Sequence, residues 1–141
     1  MEEAKDGMDI AVCILDLETN HLQFSGAFNP MFLVRNGVLE EYRADRMPVG
    51  IFDLGNVGFT TNNVDAQSGD IVYIFSDGYA SQFGGKNGKK FMSSRFKKLL
   101  EEVSTEPMDK QKQLLDDKID SWMGTEYNQV DDILVIGFKI P

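Results

Sequence analysis

The stretch Gln67-Ser68-Gly69-Asp70-Ile71-Val72-Tyr73-Ile74-Phe75-Ser76-Asp77-Gly78 decides how this chain folds. A polar turn opens onto an unbroken β-branched and aromatic run, the pattern of a long buried strand. The run then stops on a carboxylate. Near the C-terminus the order is reversed: Gln129-Val130-Asp131-Asp132 opens onto Ile133-Leu134-Val135-Ile136-Gly137-Phe138. A carboxylate beside a buried strand is costly unless something compensates it, and a divalent cation is a common compensator. Turn chemistry is the competing reading, because Asp bonds its own backbone, Gly takes positive φ, and Asp131 and Asp132 can cap a loop.

Working outward, Asp9 to Asp16 reads as a strand, Glu18 to Asn20 as a turn, and His21 to Ser25 as a half-buried alternating strand. Pro30 to Val34, the hairpin signal Asn36-Gly37 and Val38 to Tyr42 continue what reads as an antiparallel meander. Pro48 to Gly58 reads as a loop and Phe59 to Val64 as another strand. After Gly78, Tyr79 to Phe83 suits one helical turn and Gly84 to Lys90 a loop.

Two helices follow. Ser93 is placed to cap the first, whose Phe96, Leu99, Leu100 and Val103 fall on one face. Pro107 opens the second, with Met108, Leu115, Ile119 and Trp122 as its apolar stripe and Gly124 as its stop. Ile133 to Ile140 is the last strand. Strands, then two helices, then a returning strand predict an α+β layered domain with both helices on one sheet face.

At 141 residues and 42% hydrophobic the chain suits one domain, 1–141. No apolar run approaches the roughly 20 residues that span a bilayer, and no signal peptide precedes the first strand, so the expectation is a soluble cytoplasmic protein without membrane insertion. A net charge of −9 argues against a nucleic-acid surface. Cys13 sits in an apolar run and reads as a buried structural thiol. His21, the only histidine, lies in a polar turn, which argues against a His-based dyad or zinc site. The three lysines of Gly84 to Lys90 are of the kind that attracts phosphate, with a solvated surface loop as the plainer reading.

Six segments stand in register with a known family: Asp6-Gly7-Met8-Asp9-Ile10-Ala11, Gly26-Ala27-Phe28-Asn29-Pro30, Met47-Pro48-Val49-Gly50, Gly69-Asp70, Ser76-Asp77-Gly78 and Asp131-Asp132-Ile133. In that order they resemble the bacterial metal-dependent serine/threonine phosphatases of PPM type, SpoIIE-like subgroup, over nearly the whole chain. The resemblance implies a partial α-β-β-α sandwich of mostly antiparallel strands, with a pair of Mn2+ or Mg2+ ions at one end between the sheets. It implies Asp77 and Asp131 as metal ligands, with Gly78 and Asp132 supporting them from behind. The nucleophile it implies is a metal-activated water, which suits a chain without a Ser-His or Cys-His pair.

The chain departs from that pattern. The family's N-terminal Gly-Asp and Asp-Gly-x-Gly-His motifs are absent: Asp6-Gly7 continues as Met8-Asp9, and both Asp6 and Asp9 read as structural. Ser81 stands where relatives often carry an acid, and Phe28 replaces a polar residue. The expectation is therefore the C-terminal portion of a phosphatase domain, without substantial activity by itself. By resemblance its substrate is a phosphorylated protein, an anti-sigma antagonist being the type, in sigma-factor signalling driven by an upstream sensor domain. Self-association is a further expectation. The alternative is a non-catalytic phosphatase-like module that binds a protein partner.

Overall fold

The computed structural model describes residues 6–50 and 57–141. Its strands are β1 (Gly7–Met8), β2 (Ile10–Leu15), β3 (His21–Ala27), β4 (Met31–Arg35), β5 (Val38–Tyr42), β6 (Val49–Gly50), β7 (Asn62–Asp65), β8 (Ile71–Phe75), β9 (Phe83–Gly84), β10 (Lys89–Lys90) and β11 (Val135–Lys139). Its helices are α1 (Gly78–Ser81), α2 (Ser93–Val103) and α3 (Met108–Met123). Two sheets carry the fold, one ordered β2-β3-β7 and the other β11-β8-β4-β5, and every pairing within them is antiparallel.

The sheets face each other, and alternation along the strands divides the side chains between two cores. Leu22 and Phe24 of β3 and Val64 of β7 meet Met31 and Leu33 of β4 and Val72 of β8 between the sheets. Phe32 and Val34 of β4 and Ile71 and Tyr73 of β8 point the other way, onto Phe96, Leu99, Leu100 and Val103 of α2 and Leu115 and Ile119 of α3. β8 is thus covered on both faces, which accounts for its unbroken apolar run. Both helices lie on one face of the four-stranded sheet, in agreement with the sequence reading. The outer face of the three-stranded sheet carries exposed Val12 and Ile14 on β2.

Several expectations are corrected. The first strands do not form one meander: after β3 the chain crosses to the other sheet, turning at Phe28 with φ 61° and its N–H on the Asp45 carbonyl. Part of the expected Pro48 to Gly58 loop pairs as β6 with β1, and residues 51–56 lie outside the described residues. The strand expected from Phe59 begins at Asn62, because only from there does it pair with β3. The last strand starts at Val135 rather than Ile133, where its pairing with Phe75 begins. Gly84 to Lys90 is not a loop throughout but the turn of a β9–β10 hairpin. Ser93 is the first residue of α2 and makes no side-chain cap; Met92, at φ 78°, turns the chain into the helix.

Candidate metal centre

β8 delivers Asp77 to the end of the two-sheet core. There the chain turns into α1, and the Ser81 N–H closes that turn on the Asp77 carbonyl at 3.0 Å. Asp77 occupies the cap position of α1, yet its side chain makes no cap hydrogen bond. Of the local tasks the turn reading offers, the helix cap is not filled, while the Asp77 backbone does bond its own carboxylate.

The second loop arrives alongside. Ser76 Oγ donates to the Asp132 carbonyl at 2.8 Å and accepts from the Leu134 N–H at 3.0 Å, while the Ser76 N–H donates to the Leu134 carbonyl at 3.0 Å. Gly78 is buried against this loop: a Cβ built on it would stand 2.1 Å from the Asp132 carbonyl oxygen. Only glycine permits that approach. Asp131 Oδ1 accepts from the Asp132 N–H at 2.7 Å, and Gln129 Nε2 donates to the Asp131 carbonyl at 2.8 Å.

The result is two carboxylates from segments far apart in sequence brought to one place. Partial burial, then the negative charge and hydrogen bonding of Asp131, push the Asp77 carboxyl above its usual value; Asp9 adds a smaller push, and the Asp77 backbone opposes it. Among the described residues neither Asp77 nor Asp131 has a salt-bridge partner. Two carboxylates held together without a basic partner are chemically suited to accept a cation. Asp132 takes part through its backbone carbonyl, which joins the two loops at Ser76 and Gly78.

Asp9, structural on the sequence reading, also stands in relation to this pair. It is exposed beside a cleft of about 260 Å3 between the sheets, whose walls include Ser76, Asn29 and Leu134. Even so, no group of three His, Cys, Asp or Glu side chains close enough to share an ion occurs among the described residues. The oxygen donors fit a hard divalent cation in kind, and in number they are a partial set.

Other polar groups serve packing. Asp70 is 2% exposed and takes a two-pronged contact from Arg35, Nε to Oδ1 at 2.9 Å and the terminal nitrogen to Oδ2 at 2.6 Å. Burial pushes the Cys13 thiol up to about 11, which leaves it without thiolate character at neutral pH. His21 faces Asn63 and Asp65 on the three-stranded sheet. Gln82 and Gln111 are fully buried polar side chains that the apolar periodicity did not predict. Gln82 Nε2 donates to the Phe83 and Asn128 carbonyls, tying α1 to the Asp131 loop.

The arrangement of two antiparallel sheets with helices outside is that of PP2C phosphatase domains. The SiaA-PP2C domain of Pseudomonas aeruginosa superposes with a TM-score of 0.85 at 24% identity, over 94% of this chain and 52% of that one. The SpoIIE phosphatase domain of Bacillus subtilis gives 0.68 at 20% identity, over 94% and 56%. The photosystem II phosphatase PBCP gives 0.54 at 14%, over 79% and 44%. The chain thus spans about half the length of the domains it resembles. No curated protein matches it. The family model of stage II sporulation protein E matches residues 3–141, and the chain belongs to that family, SpoIIE. No helix among the described residues is long and apolar enough to cross a membrane.

Proposed function

We propose that this chain is the C-terminal portion of a metal-dependent phosphoserine/phosphothreonine protein phosphatase domain. In this reading Asp77 and Asp131 hold Mn2+ or Mg2+, with Gly78 and Asp132 fixing the loops that carry them. The observation that carries the proposal is the juxtaposition of Asp77 with Asp131, where burial first and then Asp131 push the Asp77 carboxyl above its usual value. Such an ion, when bound, polarises a phosphoryl oxygen and lowers the pKa of a coordinated water. This chain's residues supply oxygen donors, and Ser76 and Gly78 hold those donors in register. The remaining carboxylates belong to sequence outside this chain.

By this reading the chain alone binds a cation weakly and has no substantial turnover. The complete protein is placed in the cytoplasm, in sigma-factor or related signalling. It acts on a phosphorylated protein of the anti-sigma-antagonist type, under an upstream sensor domain. Manganese titration by calorimetry tests the site: wild type takes up Mn2+, and Asp77→Asn and Asp131→Asn each weaken it. Unchanged affinity removes both residues from the ligand set. Robust Mn2+-dependent turnover of p-nitrophenyl phosphate by the pure chain, lost in Asp77→Ala, would overturn the statement on activity.

A second reading is a non-catalytic module that binds a protein; the exposed apolar side chains on two strands at sheet edges suit it, and they equally suit a sandwich whose other part would cover them. Val12 and Ile14 are 44% and 62% exposed on β2, and Ile136 is 46% exposed on β11, next to Leu134 at 57%. Apolar surface of this kind suits either the rest of a domain, a partner or a second copy. Sedimentation velocity separates the last of these, because self-association gives a concentration-dependent sedimentation coefficient.

A further inference from the structure

Charge is unevenly distributed along this acidic chain. Residues 78–100 contain six of its 14 Lys and Arg and none of its 23 Asp and Glu. The segment folds as α1, the β9–β10 hairpin and the first two turns of α2. One of the six, Lys97, is engaged by Glu41 at 2.8 Å. The other five, Lys86, Lys89, Lys90, Arg95 and Lys98, are exposed, and among the described residues none has a salt-bridge partner.

The hairpin that carries the lysines is firmly seated. The Gly85 N–H donates to the Trp122 carbonyl at 2.9 Å, and a Cβ on Gly84 would stand 2.0 Å from that same oxygen. Gly88, at φ 58°, lies so close to Tyr127 that a Cβ would meet its hydroxyl. At its base the Phe91 N–H donates to the Gln82 carbonyl and the Met92 N–H to the Ala80 carbonyl, both at 2.8 Å. Lys90 Nζ stands 5.7 Å from the Phe83 ring centre and the Arg95 guanidinium 4.6 Å from that of Trp122. Arg95, Lys98 and Lys118 then line a cleft of about 360 Å3, where Glu102 is the one acid. Clustered like charges on a seated element repel one another, and exposed turn positions accept any polar residue. An anionic partner explains the cluster; solvation alone does not require it.

We infer that the β9–β10 hairpin, with Arg95 and Lys98, is a docking surface for an acidic segment of the phosphoprotein whose phosphoresidue reaches Asp77 and Asp131. The inference rests on the phosphatase reading of that pair. Two connections place the surface beside the site. Only α1 and Gln82 separate Asp77 from β9, a path of roughly 15 Å. Gln82 also bonds the Asn128 carbonyl at 2.9 Å, on the loop that carries Asp131. An extended peptide covers such a path in about five residues, so the acids that dock lie about five or more positions from the phosphoresidue. With a net charge of −9, the rest of the surface repels an acidic partner, and the basic hairpin therefore orients it.

Fluorescence anisotropy with labelled peptides tests this on the full chain without metal. One peptide carries phosphoserine and, about five residues away, a run of about four Glu; the second is its unphosphorylated form; the third has Gln in place of Glu. At about 50 mM NaCl both Glu peptides bind about ten-fold or more tightly than the Gln peptide, and the difference collapses at about 300 mM. The triple variant Lys86→Gln/Lys89→Gln/Lys90→Gln abolishes the difference. Lys110→Gln/Lys112→Gln/Lys139→Gln, which removes equal charge elsewhere, preserves it, and circular dichroism confirms that both variants remain folded. Equal binding of Glu and Gln peptides, equal loss in the two triple variants, or tighter binding of a single-stranded oligonucleotide or phosphatidylserine vesicles than of the Glu peptides would overturn the inference. The unphosphorylated peptide reports on docking alone. A failed manganese titration therefore removes the phosphatase reading while leaving this measurement to be judged separately.

Discussion

The Ser76 hydroxyl donates to the Asp132 carbonyl at 2.8 Å and accepts the Leu134 N–H at 3.0 Å, so one side chain joins the exit of β8 to the entrance of β11. Asp77 and Asp131 follow from that joint, because each sits next to one of its partners in sequence. Removing the hydroxyl leaves the main-chain bond from the Ser76 N–H to the Leu134 carbonyl but frees both the Asp132 carbonyl and the Leu134 N–H. Ser76→Ala is expected to lower stability by about 1–2 kcal/mol, the net worth of two partly exposed hydrogen bonds. It is also expected to weaken Mn2+ uptake several-fold. Urea unfolding and calorimetry measure the two; a stability loss with wild-type metal affinity would show that Ser76 does not position the carboxylates.

Gly78 is the other half of the joint. Its missing Cβ is what lets the Asp132 carbonyl come within reach, and the clash is with backbone, which cannot rotate away. Gly78→Ala is expected to cost about 2–3 kcal/mol, in the range of other overpacking substitutions, and to separate Asp77 from Asp131. The carboxyl titration of Asp77, followed by NMR, then moves down toward its ordinary value, because its upward push comes in part from Asp131. Gly58→Ala, where an added Cβ meets nothing within 4 Å, serves as the neutral comparison.

The Arg35–Asp70 pair ties β4 to the turn that starts β8. Burial raises the Asp70 carboxyl, but the Arg35 guanidinium and the Gln67 N–H outweigh it, and the carboxyl lies below its usual value. A depressed folded-state pKa contributes stability above the unfolded value of about 3.9 and loses it as pH falls through the folded value. Denaturant midpoints are expected to hold from neutral pH to about pH 5 and fall below about pH 4. Asp70→Asn leaves the guanidinium without its charge partner and lowers stability by about 2–3 kcal/mol at pH 7, while flattening the acid limb. An acid limb unchanged in Asp70→Asn would assign the pH dependence to other carboxylates.

Sequence carried the layered plan because the deciding signals are local. β8 declares its burial by its unbroken apolar run, and α2 and α3 declare one buried side by the spacing of Phe96, Leu99, Leu100, Val103, Leu115 and Ile119. That Asp77 and Asp131 each stand at the end of an apolar strand is legible for the same reason, whereas their sharing one place depends on the β8–β11 pairing and enters the sequence reading only through the family resemblance. What stayed hidden depends on distant partners. The crossing between sheets turns at Phe28, a non-glycine at positive φ that no propensity flags. The β9–β10 hairpin takes its shape from Trp122 and Tyr127, which lie far along the chain. Gln111 breaks the apolar stripe of α3 in sequence, and only the Tyr73 hydroxyl opposite it explains why it is buried.

That buried contact gives the last prediction. Tyr73, on the strand that delivers Asp77, donates its hydroxyl to Gln111 Oε1 on α3, and Gln111 Nε2 donates to the Glu106 carbonyl at 2.8 Å. Both side chains are buried, Tyr73 at 1% and Gln111 at 1% exposure, so neither polar group has water to fall back on. Gln111→Leu strands the hydroxyl and the Glu106 carbonyl, and is expected to cost about 2–3 kcal/mol. Tyr73→Phe strands only the amide oxygen and is expected to cost about 1–2 kcal/mol. The double variant removes donor and acceptor together and leaves an apolar contact of similar shape. Its loss should fall short of the sum of the single losses by about 1 kcal/mol or more, the coupling expected of a desolvated hydrogen bond. Chemical denaturation of the four proteins closes this cycle; additive losses would mean that α3 is held on β8 by apolar packing alone.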